Sequence, residues 1–256
     1  MSQEWEVLAL RYATHEAPMR ELGLVGDAHD ALGRLDYFIW LIRGREGLIL
    51  VDTGFGVEAA QRRGRRLLRH PVVALNEIGV RPEEVRDIVI THLHYDHAGN
   101  LDAFPNARFH LQEREMSYAT GRCMCDAGHR RAFDVDNVVD AVRLVYQERI
   151  VFHDGAYQLA PGIGVHLVGG HSLGLQVLTV DGARRIVLAS DALHLSRLMQ
   201  QDAVFPIFAD RAAVLEGYRL LKDLAGHDGV ILPGHDPQVM QDFPLLSGAT
   251  DTVRIG

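Results

Sequence analysis

The sequence predicts an α/β (α+β) protein in which two sheets share a core covered by helices. Three observations carry this. Short β-branched and aromatic runs, each ended by turn residues, occur in an early block and a late block of the chain. Stretches with helical spacing of apolar residues stand among them. Several of the apolar runs finish close to a histidine or an aspartate, so polar chemistry gathers at strand ends.

In order along the chain, "WEVLALRYA", "YFIWLIRG" and "GLILVDTG" read as strands, and helical spacing follows from Val57 to about Arg69. The run Ile88–Ile90 in "RDIVITHLHYDH" reads as a buried strand that delivers histidines at its C-terminal edge. Arg130 to Tyr146 and Arg211 to Leu224 have helical spacing. The later strands are "GVHLVGGH", "LQVLTVDG", "RIVLASDALH" and "GVILPGH". With 47% hydrophobic residues and no repeat or low-complexity linker, residues 1–256 are expected to form a single domain.

Composition excludes several functional classes. The N-terminus "MSQEWEVLALRY" lacks the basic start and long apolar run of an export signal, and no stretch is apolar enough to span a membrane. Cys123 and Cys125 are one residue apart and give no disulfide framework, which fits a reducing, cytoplasmic location. A net charge of −8 argues against gripping a nucleic-acid backbone. The local run "RRGRRLLRH", Arg62 to His70, is expected to be a solvated helix face.

The stretch "THLHYDHAGN" concentrates His92, His94, Asp96 and His97 within six positions. Imidazole nitrogen and carboxylate oxygen suit zinc and similar ions, and four such groups exceed one tetrahedral site. His92 and His94, two apart in an extended segment, point the same way and can share one ion; Asp96 and His97, past the bend, can serve a second. The strand-end residues His171, Asp191 and His235 are the candidate partners. His153, His166 and His227 are read as ordinary histidines.

"THLHYDHAGN" resembles the HxHxDH signature of the metallo-β-lactamase superfamily, and the resemblance extends to "VDTGFG", His171, Asp191 and "LPGHD" in the expected order. It implies a four-layer αβ/βα sandwich, two mixed sheets flanked by helices, with a two-metal cleft at one sheet edge. It further implies two Zn2+ per chain, with Fe, Co or Mn as other admissible divalent ions. His92, His94 and His171 would bind the first ion; Asp96, His97 and His235 would bind the second; Asp191 would bridge them. Asp52 would orient a ligand histidine or nearby backbone, or else simply form the turn before Gly54.

Two such ions lower the pKa of a shared water and stabilise an oxyanion, which is hydrolytic chemistry. Within the superfamily, Asp191 and the absent export signal differ from true β-lactamases, and Asn100 differs from the "DHxGG" of glyoxalase II. The closest resemblance is to N-acyl homoserine lactonases and related lactonases, which share the closing "GHD". The expected substrate is therefore a small-molecule lactone, an N-acyl homoserine lactone or a catabolic lactone, with no nucleic-acid or membrane partner and a monomeric or homodimeric state. A glyoxalase II-type thioesterase and an iron-dependent redox enzyme are the alternatives.

Asp96 is expected to pass a proton to the leaving alkoxide. Many of those lactonases carry a tyrosine where this chain has His194; its imidazole N–H would donate the same hydrogen bond to the substrate, or the role would be filled by Tyr218 or by nothing. The segment from His194 to Phe208, including Arg197, and the segment "LGLVGDAHDALGRLDYF" are candidate walls or lids, the second also a candidate dimer contact. "CMCDAGH", with Cys123, Cys125 and His129, is read as a loop near the cleft rather than a further metal site.

Overall fold

The computed structural model describes residues 5–24, 31–45 and 47–256. Its first sheet contains β1 (Glu6–Pro18), β2 (Leu32–Gly44), β3 (Gly47–Val51), β4 (Arg66–Leu67), β5 (Asp87–Val89), β6 (Arg108–Gln112), β7 (Ile150–His153) and the late strand β13 (Thr252–Arg254). The second contains β8 (Tyr157–Ala160), β9 (Ile163–Leu167), β10 (Gln176–Val180), β11 (Ile186–Ser190) and β12 (Val230–Pro233). The strand orders are β13-β1-β2-β3-β5-β6-β7, with β4 beside β1, and β12-β11-β10-β9-β8. Both sheets are mixed: β3, β5, β6 and β7 run parallel, as do β11 and β12, while the other pairs are antiparallel.

Alternation along the strands explains the layering. Val7 and Ala9 of β1, Phe38, Trp40 and Ile42 of β2, and Leu178, Ile186 and Leu188 of the second sheet share one core between the sheets. Their neighbours Leu8, Leu10, Ile39, Leu41, Val177 and Val187 face outward into a second core. Helical residues complete that core. They include Leu75 of α2 (Pro71–Glu77), Leu144 of α5 (Val135–Tyr146) and Leu221 of α7 (Arg211–Ala225). Strands buried on both faces need apolar residues at nearly every position, which is why "ALRYA" and "YFIWLI" read as continuous runs.

The helix expected from Val57 to Arg69 is shorter. It is α1, Val57–Arg63, and it stops at Gly64, whose φ of 63° is left-handed. Arg66 and Leu67 then pair with Thr14 and Ala13 of β1. Between Arg130 and Tyr146 the chain forms the end of α4 (Ala127–Arg130) and then α5. The helix expected from Arg211 to Leu224 is α7, capped by Asp210, whose carboxylate accepts the N–H groups of Ala212 and Ala213. The remaining helices are α3 (Glu113–Thr120), α6 (Ser196–Gln200) and α8 (Val239–Asp242). Among the described residues no helix is long and apolar enough to cross a membrane. Of the early segment proposed as a lid or dimer contact, residues 25–30 lie outside the described residues.

Candidate metal centre

His92, His94, Asp96 and His97 lie on the loop after β5, His171 between β9 and β10, Asp191 directly after β11, and His235 two residues beyond β12. The C-terminal ends of the parallel-paired strands β5, β11 and β12 thus deliver six of the seven to one sheet edge, and the loop after the antiparallel β9 delivers His171. None of the seven residues is more than 8% exposed.

The donor atoms form two sets. His94 Nδ1 lies 3.0 Å from His92 Nε2 and 2.9 Å from His171 Nε2. Opposite them, the Nε2 atoms of His97 and His235 are 3.8 and 3.7 Å from Asp96 Oδ2. Asp191 stands between the sets. Its Oδ2 is 3.1 Å from His171 Nε2, and its Oδ1 is 2.9 Å from His235 Nε2 and 3.4 Å from His97 Nε2. Within each group the donor atoms lie within 4.8 Å of one another.

The outward-facing nitrogens are already engaged. His97 Nδ1 donates to Asp52 Oδ2 at 2.7 Å, His171 Nδ1 to the Ile207 carbonyl at 2.8 Å and His235 Nδ1 to the Asp36 carbonyl at 3.0 Å. With Nδ1 donating outward, each ring turns its Nε2 inward, where a cation would meet it. Asp52 also accepts the N–H of Thr91 at 2.7 Å and the Thr91 hydroxyl at 2.8 Å. Its φ of 63° places it in a left-handed turn, so Asp52 both shapes the turn and orients His97.

Electrostatics separate the two sets. Burial and the neighbouring imidazoles hold His92 and His94 well below the ordinary histidine range, hence neutral. Burial would also lower His97 and His235, but Asp191 and the other nearby carboxylates outweigh it and favour positive charge there. Burial opposes ionisation of Asp191 as well, yet the surrounding histidines keep its carboxyl well below the usual range. The pocket therefore sets neutral imidazoles on one side against imidazoles paired with carboxylates on the other.

That donor set fits divalent cations. Although His235 Nε2 approaches Asp191 Oδ1 closely, Asp191 Oδ1 and His97 Nε2 are buried with no hydrogen-bond partner. Buried polar atoms without partners are costly, and a cation between them removes the cost. His94 Nδ1, about 3 Å from the inward nitrogens of both His92 and His171, completes a set of three imidazole donors that a cation would satisfy in the same way.

A cavity of about 560 Å3 opens over the cluster. His194 lines it, with Nε2 3.0 Å from Asp191 Oδ2 and its ring stacked on Phe205 at 3.9 Å. Burial lowers His194 to about 4, so it is a neutral imidazole. Tyr218 does not reach the cavity: its hydroxyl donates to the Ala203 carbonyl at 2.9 Å, on the buried face of α7, so it cannot replace the tyrosine of related sites. From the segment after His194, Phe205, Pro206 and Ile207 form a wall, whereas Arg197 lies outside the cavity lining. Cys123 and Cys125, on the short turn Arg122–Cys125, join none of the donor groups. His153, His166 and His227 also lie apart from these groups.

Leu22, Leu35 and Tyr37 of the early segment expected as a wall or lid line the cavity, whereas sequence reading missed Tyr95 and the arginines Arg63, Arg65 and Arg131 there. The expected solvated face holds for Arg62 and Arg66, which are exposed, but not for Arg63 and Arg65. Gly64 was the available signal, since a glycine stop turns the next residues off the helix face.

The model of the family described as Metallo-beta-lactamase superfamily matches residues 32–237. An N-acyl homoserine lactonase of Bacillus cereus is 25% identical over 218 residues, covering 79% of this chain and 82% of the relative. Among solved structures, a quorum-quenching N-acyl homoserine lactone lactonase superposes with a TM-score of 0.79 at 22% identity, over 95% of this chain and 97% of the other. AidC, a dizinc quorum-quenching lactonase in complex with its product N-hexanoyl-L-homoserine, superposes with a TM-score of 0.75 at 19% identity, over 93% and 89%. The four-layer arrangement is thus the fold of these neighbours.

Proposed function

The chain belongs to the metallo-β-lactamase superfamily, and on that premise we propose that it is a dinuclear zinc hydrolase that opens the ester bond of a lactone, an N-acyl homoserine lactone or a related catabolic lactone. The observation that carries this reading is the position of Asp191, one carboxylate whose two oxygens face two separate donor sets. In this reading His92, His94 and His171 hold one ion, Asp96, His97 and His235 the other, and Asp191 both. Two ions so held supply Lewis acidity toward a carbonyl oxygen and acidify water at neutral pH.

The chain's own groups supply the rest. Asp52 and the carbonyls of Ile207 and Asp36 fix the ring orientations of His97, His171 and His235 before substrate arrives. His194, neutral and with Nε2 3.0 Å from Asp191 Oδ2, uses its one N–H on that carboxylate and so holds Asp191 in place beside the cavity. Leu22, Leu35, Phe205 and Ile207 give the cavity an apolar wall that excludes water from the ester. Asp96 passes a proton to the ring oxygen as the acyl C–O bond breaks, so one water is consumed and one hydroxy acid is formed. The similarity to lactonases, one of them dizinc and product-bound, supports this substrate class.

The test is proton release by zinc-loaded protein across short- and long-chain acyl homoserine lactones and aromatic lactones, with His94→Ala as control. Turnover abolished by that substitution supports the reading. No turnover on any lactone overturns it and directs attention to thioesters and redox substrates.

A further inference from the structure

Part of the cavity wall is cationic. Arg63 and Arg65 come from the end of α1 and the residue after Gly64, and Arg131 from the turn before α5. This is unexpected in a chain of net charge −8. Several other arginines end on carboxylates, as Arg11 and Arg34 do on Asp36 and Arg62 does on Asp134. Among the described residues no carboxylate forms an ion pair with Arg63, Arg65 or Arg131.

They are held in place by neutral groups instead. Arg63 donates to the carbonyls of Arg131 and Phe133, both at 2.9 Å, and its guanidinium lies over the Tyr95 ring at 3.9 Å. Its Nε is buried without a partner. Arg65 donates to the Tyr95 hydroxyl at 3.1 Å and to the Arg63 carbonyl at 2.8 Å, leaving Nη2 undirected. Arg131 donates from one nitrogen to the Pro206 carbonyl at 2.6 Å. Carbonyls and a phenol fix the position of these guanidinium groups without cancelling their charge, which is how a rigid anion site is built.

The acids that line the same cavity form no ion pair with them, although Asp96 is near enough to favour the charge of Arg65. Asp96 and Asp191 face the metal donor sets, and Glu21 lies 4.0 Å from Arg20. Arginines clustered in a cleft without ion-paired carboxylates attract an incoming ligand of the opposite sign.

We propose that Arg63, Arg65 and Arg131 form a subsite for an anionic oxygen group, carboxylate or phosphate, at the end of the substrate remote from its ester. This rests on the lactone-opening reading above and narrows it. The substrate is an anionic lactone rather than one with a wholly apolar tail. The apolar wall holds the linking carbons, and the arginines hold the far charge.

The experiment compares γ-lactones whose side chains end in a carboxylate, a phosphate monoester or a neutral primary amide, matched in length, on zinc-loaded protein. Preference for either anion over the amide by about tenfold or more in kcat/KM is expected, carried mainly by KM and narrowed by added salt. Arg65→Gln and the exposed Arg131→Gln are each expected to shrink that ratio. Equal or better turnover of the amide, or a ratio unchanged in both variants, overturns the proposal while leaving lactone opening intact. If none of the three is opened, calorimetric binding of the same compounds decides the subsite separately. Binding of the anions but not the amide, lost in the variants, supports it, and indifference to charge overturns it.

Discussion

The buried carboxylate of Glu115 accepts the backbone N–H of Leu93 at 2.9 Å, between His92 and His94. Its other oxygen accepts the N–H of Gly174 at 2.9 Å, on the loop that carries His171. One side chain of α3 thus ties together the two loops of the three-histidine set. Burial pushes this carboxyl up, and the two N–H groups and Ser172 pull it back.

Glu115→Gln sets an amide NH2 against one of those N–H groups and leaves a buried donor unmet. The expected result is a loss of about 1–3 kcal/mol in stability, with weaker metal retention. Denaturant unfolding with and without zinc measures both, and an unchanged midpoint would contradict the tie.

Asp52→Asn removes the charge that receives the His97 Nδ1–H. Zinc affinity at the Asp96, His97 and His235 set should fall by about 10- to 100-fold, the usual effect of losing a partner behind a ligand. Competition with a chromophoric chelator reads this as early release of one equivalent. Release of both equivalents unchanged would refute it.

Gly234 lies where a Cβ would come within 2.8 Å of Asp191 Oδ1 and of the Ser190 backbone. Backbone cannot yield cheaply, so Gly234→Ala is expected to cost about 1–3 kcal/mol and displace Asp191. The check is thermal unfolding alongside zinc stoichiometry; full stability with two ions bound would count against this account.

His153 bonds His110 at 3.1 Å and stacks on Tyr157, and burial together with His110 lowers it from 6.5 to about 4. A base depressed in the fold takes up its proton more readily when unfolded, so acid favours unfolding. Its contribution is whole above pH 6.5 and is lost as pH falls from there toward about 4. Urea unfolding at several pH values should show a smaller acid loss for His153→Gln than for the parent. Parallel curves would rule out this residue as a source.

The seven metal-donor candidates were legible because four fall within six positions and the other three each follow a strong apolar run, so local order predicted spatial order. The arginines of the cavity wall were not. Arg63 and Arg65 carried helical spacing past Gly64, where backbone geometry rather than hydropathy ends the helix. Tyr218 was placed by the burial of one face of α7, which a single residue type does not announce. Glu115 is a charge with 0% exposure, justified only by N–H groups 22 and 59 residues away. Such long-range pairings leave no periodic trace.

The donor sets draw on both sheets: His92, His94, Asp96 and His97 follow β5 in one, while His171, Asp191 and His235 follow strands of the other. Any ion held there rivets the two halves of the sandwich at their open edge, in addition to the apolar contact between them. Without it, the layers can part at that edge while each keeps its own ladder. With it, parting requires ligand loss first, so amides in the two halves should exchange with solvent as one cooperative unit in the loaded protein and as two in the stripped one.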